Sequence, residues 1–208
     1  MKTNLLQEFL DNFRKSFDKD ILDLFSRLKE DSKIKQIEAL CIYSAGGFRS
    51  IGYALRQDED LSSNKNNSLD AELLALLEGH SDLEQMFCSP TSDNSTLYSQ
   101  VCADEWSNIN DINCFSDTNA LVDSSLDQLY DAGVGQQTIQ TEILNIIVSS
   151  FDSMISKGFV SKPLFVSDPF LSVQFSGSTN TNILLESSKR LNNPSWHQKV
   201  EQFIKENS

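Results

Sequence analysis

The chain reads as an α+β domain, a mainly antiparallel sheet flanked by helices and preceded by a long N-terminal helix. Three observations predict this. Apolar residues recur at helical spacing from Leu5 to Leu28. Two short apolar runs, Ile37 to Tyr43 and Phe48 to Leu55, are separated by two adjacent glycines. Two further helical stripes then precede a second pair of strand-like runs. The order helix, strands, helices, strands, helices fits one sheet with helical cover. With 208 residues, 39% hydrophobic content and 13 Phe, the chain has core material for a single domain over residues 1–208.

In the first helix Leu5, Leu6, Phe9, Leu10, Phe13, Phe17, Ile21, Leu24, Phe25 and Leu28 make the stripe. Glu8, Asp11, Arg14, Lys15, Asp18, Lys19, Asp23 and Arg27 fill the other face. Thr3 or Asn4 can cap its start. The mixed charge suits a helix covering a sheet better than a membrane-surface helix, which wants a basic polar face. Ser44-Ala45-Gly46-Gly47 is a hairpin signal, because adjacent glycines permit positive φ. It lacks the spacing of a phosphate-binding loop.

Residues 57–68 read as a polar loop, Leu69 to Leu83 as a helix capped by Ser68, and residues 88–96 as a loop around Pro90. Leu97 to Cys102 reads as a short strand. Asn119 to Tyr130 and Thr138 to Ser156 form a helix pair joined by Gly133-Val134-Gly135, and Gly158 closes the second. Leu164 to Val166 and Phe170 to Phe175 read as strands, with Ser167-Asp168-Pro169 as the turn between them. Thr181 to Leu191 and Pro194 to Lys205 close the chain as two helices, with Pro194 in a first turn.

The charge is distributed unevenly. No basic residue lies between Lys65 and Lys157. Residues 58–156 hold 18 Asp/Glu and one Lys, a net of −17, while the rest of the chain is +4 and the whole −13. A field of one sign attracts an oppositely charged partner and repels nucleic acid, whose binding requires stripes of Lys/Arg. The expected partner is therefore a basic protein, with no nucleic acid and no membrane. No apolar run approaches the roughly 18 residues needed to span a bilayer. The N-terminus lacks the basic start and apolar middle of a signal peptide, so a cytoplasmic protein is expected.

Chemistry-bearing motifs are sparse. Cys41, Cys88, Cys102 and Cys114 form no C-x-x-C pair, and with His80 and His197 they match no common zinc spacing. Cys41 sits in an apolar run and reads as a buried thiol. Neither histidine has the setting of a catalytic base. No cofactor, metal site or catalytic residue is expected. The best candidate for recognition is the segment around Trp106: Asp104, Glu105, Trp106, Asp111 and Asp117. In one reading the acids line a recognition surface beside an aromatic anchor. In the other, Trp106 packs into the core and the acids sit at a helix N-terminus, where the dipole favours them.

Ala39-Leu40-Cys41-Ile42-Tyr43-Ser44, then Ser50-Ile51-Gly52-Tyr53-Ala54-Leu55, then Glu105-Trp106 resemble the bacterial domain-of-unknown-function family 4303 in kind and order. The resemblance extends from about Leu5 to Leu191. This chain departs from the family pattern before the Trp, where it reads Val101-Cys102-Ala103-Asp104 in place of a Ser-Pro-Ala-type lead-in. The resemblance implies a small, acidic, cytoplasmic bacterial protein of the immunity type. The acidic block adds the expectation that the protein neutralises a basic toxin domain, such as a nuclease, by occlusion. The resemblance carries over no catalytic residue. A regulatory or scaffold protein without a toxin partner, and a carboxylate-dependent enzyme, are the competing expectations.

Overall fold

The computed structural model describes residues 2–57, 93–106, 108–109, 112–176 and 181–207. The expected helix from Leu69 to Leu83, His80, Cys88, Asp111 and nearly all of the polar loop lie outside them. The described elements are α1 (Lys2–Glu30), β1 (Ile37–Ser44), β2 (Ile51–Gln57), α2 (Asp93–Val101), β3 (Asn108–Ile109), α3 (Ser116–Asp131), α4 (Gln136–Ser156), β4 (Phe165–Phe175), α5 (Thr181–Leu191) and α6 (Pro194–Glu206). The strand order is β3-β2-β1-β4.

The α+β class holds, and the sheet is mixed rather than mainly antiparallel. β1 pairs antiparallel with β2, but β4 lies parallel to β1 on its other side. The expected hairpin of two short strands after residue 163 is instead one strand. Ser167-Asp168-Pro169 does not turn the chain. Along β1 the register passes from Ile37↔Phe165 to Ala39↔Phe170, so Val166 to Pro169 bulge out opposite Glu38. The start of α6 pins the bulge. Asn193 Nδ2 donates to Asp168 Oδ2 at 2.6 Å, and Trp196 Nε1 donates to the Asp168 carbonyl at 3.2 Å.

β1 is buried on both faces. Leu40 and Ile42 point into a large layer built with α1, α3 and α4. Ala39, Cys41 and Tyr43 point into a smaller layer with α2 and α6, which Leu184 of α5 joins. The period of two in a strand assigns alternate residues to the two layers.

The phenylalanines of α1 fall at four-residue steps and form a ladder. Phe9 and Phe13 lie 5.9 Å apart, Phe13 and Phe17 5.8 Å, and Phe17 continues onto Phe115 at 5.5 Å. α1 begins at Lys2, so Thr3 and Asn4 stand inside its first turn rather than capping it.

The β1–β2 connection is a hairpin, as its glycines indicate. Phe48, however, belongs to the turn and not to β2. Gly47 has φ 79°, and a Cβ there would meet Gln136 Nε2 at 3.3 Å. Phe48 itself has φ 63°, a strained value for a bulky residue. Its ring is fully buried, edge-on to Phe175 at 4.9 Å, and that packing holds the strain. Gly158 closes α4 as expected, with φ 78° and a Phe159 N–H to Met154 carbonyl bond of 3.0 Å. Asn193 caps α6 by accepting from Trp196 N–H at 3.0 Å, with Pro194 in the first turn. The expected strand from Leu97 to Cys102 is a helix, α2, which buries Leu97 and Val101 against the sheet.

Side-chain amides complete backbone pairing where strands lack a neighbour. Asn192 accepts from Leu171 N–H at 2.8 Å and donates to its carbonyl at 2.7 Å, on the outer edge of β4. Asn119 does the same for Ile51 of β2, at 2.7 and 2.8 Å. Ser187 Oγ accepts from Val173 N–H at 3.0 Å. Each amide copies the donor and acceptor of a strand residue. Asn192→Ala is expected to cost about 1–3 kcal/mol, the penalty for leaving partly buried backbone groups unpaired. Asn192→Asp keeps the acceptor but puts a negative charge against the Leu171 carbonyl, and is expected to rescue little. Urea unfolding of the two variants measures both.

Candidate functional site

Three of the five residues singled out from sequence fall in one 3-10 turn and its end. α2 runs into Ala103–Glu105 and stops at Trp106. Gln174 of β4 staples this segment from beneath. Its Oε1 accepts from Ala103 N–H at 3.1 Å, and its Nε2 donates to the Val101 carbonyl at 2.8 Å. Arg56 of β2 holds α2 from the side, donating to the Gln100 carbonyl at 2.7 Å. Arg56 is buried and ion-paired with Glu38 at 3.1 Å, so its charge is balanced within the fold.

Trp106 is 3% exposed. It packs edge-on to Phe170 at 6.5 Å, and its Nε1 donates to the Ser99 carbonyl at 3.0 Å. Trp106 thus packs into the core rather than serving as an anchor for a partner, while Asp104 and Glu105 stand in a short 3-10 turn after the C-terminal end of α2 and not at the N-terminus of a long helix. Asp104 and Glu105 are exposed, and the Tyr43 hydroxyl donates to the Asp104 carboxylate.

Asp117 is placed elsewhere, in the first turn of α3 within the α1 layer. It pairs with Lys19 of α1 at 2.5 Å. That hydrogen bond and the carboxylate charge raise the Lys19 ammonium above its ordinary pKa. The α3 N-terminus is also served by Asp20, which is buried and accepts from Thr118 N–H at 2.9 Å and Thr118 Oγ1 at 2.8 Å. Asp20 thus caps α3 from another helix, supplying the oxygen that Phe115 at the N-cap cannot. Asp18 takes a hydrogen bond from Ser150 of α4. Asp18 and Asp20 of α1 thus bind its neighbours, a role no local spacing reveals.

A second set of acids is differently placed. Asp123, Asp127 and Asp131 recur every four residues along one exposed face of α3. Arg49 reaches Asp127 at 3.0 Å, while Asp123 and Asp131 form no ion pair among the described residues. Asp152 of α4 is likewise exposed and, with the half-buried Glu142, forms no ion pair among them. The α3 acids are an exposed face opposite the buried Val122, Leu126 and Leu129. Their four-residue spacing was the signal for a continuous ridge.

One triad of nucleophile-like groups is present. Ser188 Oγ lies 2.9 Å from His197 Nδ1, and His197 Nε2 lies 3.7 Å from Glu201. Ser188 is fully buried and its hydroxyl donates within α5 to the Leu185 carbonyl at 2.9 Å, while its contact with His197 ties α5 to α6. No group of three metal-ligating side chains occurs among the described residues. Among them no helix is long and apolar enough to cross a membrane. No family model, curated protein or solved structure matches the chain, so the family resemblance rests on its short motifs alone.

Burial raises the Cys41 thiol from 9.0 to about 12. The unfolded chain ionises this group first, so its contribution to stability is intact below pH 9. It is lost as pH rises from about 9 toward 12, by roughly 1.4 kcal/mol per pH unit. Cys41→Ala is expected to remove that part of the alkaline slope, read as the difference between the two pH–stability curves. Trp106→Ala is expected to cost about 3–5 kcal/mol as a core truncation. Glu105→Gln is expected to change stability by less than about 0.5 kcal/mol, and the same denaturant titrations check both.

Proposed function

We propose that this chain is a non-catalytic, acidic binding protein that engages a basic protein partner. An immunity protein neutralising a toxin domain in the cytoplasm is the form that the sequence resemblance favours. The observation that carries the reading is the ridge of Asp123, Asp127 and Asp131, on a helix with no basic residue of its own. Folding uses Asp18, Asp20, Asp104 and Asp117 internally. It leaves Asp123 and Asp131 facing outward with no described counterion. Charge that stability does not require raises the rate of encounter with a cationic surface and selects against anionic ones.

The ridge, more than the segment around Trp106, is the main contact surface in this reading. Asp104 and Glu105 remain accessible as a second contact on the other layer, without Trp106 as their anchor. A nuclease toxin fits this chemistry, because a row of carboxylates at helical spacing presents negative charge where such an enzyme holds phosphates.

Affinity capture from the native host, followed by titration with the captured protein, tests the proposal. The partner is expected to be basic, with affinity falling at least about tenfold between low and moderate salt. Asp123→Lys/Asp127→Lys/Asp131→Lys is expected to weaken it by roughly a hundredfold with the thermal midpoint nearly unchanged. A neutral or acidic partner bound independently of salt would sink the idea. Protection of growth when the partner is co-expressed separates the immunity form from a regulatory or scaffold protein, which binds without protecting.

A further inference from the structure

The C-terminal end of α1 and the connection from α4 to β4 enclose a cleft of about 420 Å³. Its size falls within the range of small-molecule sites, roughly 300–1,000 Å³. The floor is apolar and continuous with the main core: Phe25 and Leu28 from α1, and Phe159 and Leu164 from the connection. Phe25 and Phe159 present their rings to each other at 5.9 Å.

The rim is basic, against the character of the chain. Lys29 comes from the last turn of α1, Lys35 from the segment before β1, and Lys162 from the α4–β4 connection. All three are exposed at the cleft mouth. Asp31 is the one acid in the lining, and its Oδ1 already accepts from the Lys33 N–H at 2.9 Å. The lining thus carries a formal charge of +2 in a chain of −13.

Lys29 also complements the negative end of the α1 dipole, which alone would account for one lysine. It does not account for Lys35 and Lys162, which arrive from separate segments. Lys29 and Lys162 form no ion pair among the described residues. Like charges gathered around one concavity repel one another, and an anion entering between them relieves that repulsion.

We propose that this cleft binds a small amphiphile with one carboxylate, its apolar body on the Phe25–Phe159 floor and its head among Lys29, Lys35 and Lys162. The site is independent of the acidic ridge and of the binding function proposed for it. The two halves of the cleft set separate requirements. The floor rewards each buried methylene by about fourfold in affinity. The rim requires the negative head.

Octanoate titrated into the isotope-labelled full chain, followed by amide NMR, is the test. Shifts are expected at Ile34, Gln36, Gly158 and Ser161, with octanoate binding roughly fifteenfold more tightly than hexanoate. Acetate lacks the body and 1-octanol lacks the head, and neither is expected to produce these shifts at the same concentration. Lys29→Gln/Lys162→Gln alters only exposed side chains. It is expected to weaken octanoate at least about fivefold while leaving the rest of the amide spectrum in place. Absence of octanoate shifts at these amides, equal shifts with 1-octanol, or undiminished binding by the double variant would each overturn the proposal.

Discussion

β1 is the strand on which the rest of the structure depends. It is hydrogen-bonded on both sides, to β2 and to β4, and buried on both faces. A strand in that position needs two apolar layers, and the chain supplies them asymmetrically. The layer of α1, α3 and α4 is large and rich in Phe, whereas the layer of α2 and α6 is small. The residues that β1 turns to each side match the difference. Leu40 and Ile42 meet the Phe ladder, while Ala39 and Cys41 leave room for Trp106 and Phe170. Burial of Cys41 and the rise of its pKa are consequences of this position, not marks of a reactive thiol.

A narrow sheet with both faces covered still has edges, and exposed edges invite pairing with other chains. This fold closes them with side chains borrowed from helices. Asn192 and Ser187 serve β4, Asn119 serves the start of β2, and β3 pairs with Ala54 and Leu55 farther along. The same economy operates at helix ends, where Asp20 of α1 caps α3. These long-range contacts fix how the layers dock. An Asn amide that replaces a strand residue sets both the height and the rotation of its helix against the sheet.

The parts of this architecture that follow local rules were legible in the chain. A four-residue Phe repeat on a charged background has one cheap solution, a helix with its stripe on a sheet. Gly46-Gly47 announced the hairpin, Gly158 the end of α4, and Pro194 the start of α6. What was not legible depended on distant partners. Ser167-Asp168-Pro169 has turn chemistry, yet Asn193 and Trp196 hold it as a bulge within a continuous strand. Leu97 to Cys102 has strand-like composition, but Gln174 and Arg56 fix its end as a helix. Parallel pairing of β4 follows from how α3 and α4 return the chain across the sheet, and no residue in β4 encodes its direction. Trp106 was identified as the prominent aromatic, but burial depends on Phe170, far along the chain, which sequence spacing does not reveal.

The carboxylates show how far charge alone can be taken. As composition they form one acidic block, but the described ones divide by what they touch. Asp20 and Asp104 lie under or beside backbone and hydroxyl donors, and Asp117 sits against Lys19, so these stabilise particular contacts. Asp123 and Asp131, on the outer face of α3, have no such contact among the described residues. Neighbouring carboxylates one turn apart repel by a few tenths of a kcal/mol, so the fold gains nothing from the row. Arg49 meets only the middle member, at the surface, where such a pair contributes little. A feature that costs stability and is not compensated within the chain calls for a counterpart outside it. The same reasoning applied with the sign reversed picks out Lys29 and Lys162 at the rim of the cleft, which form no ion pair among the described residues. The two surfaces sit in a fold whose internal charges are otherwise matched, as Arg56 and Glu38 are, and this is why unmatched charge, rather than total charge, locates what the molecule can bind.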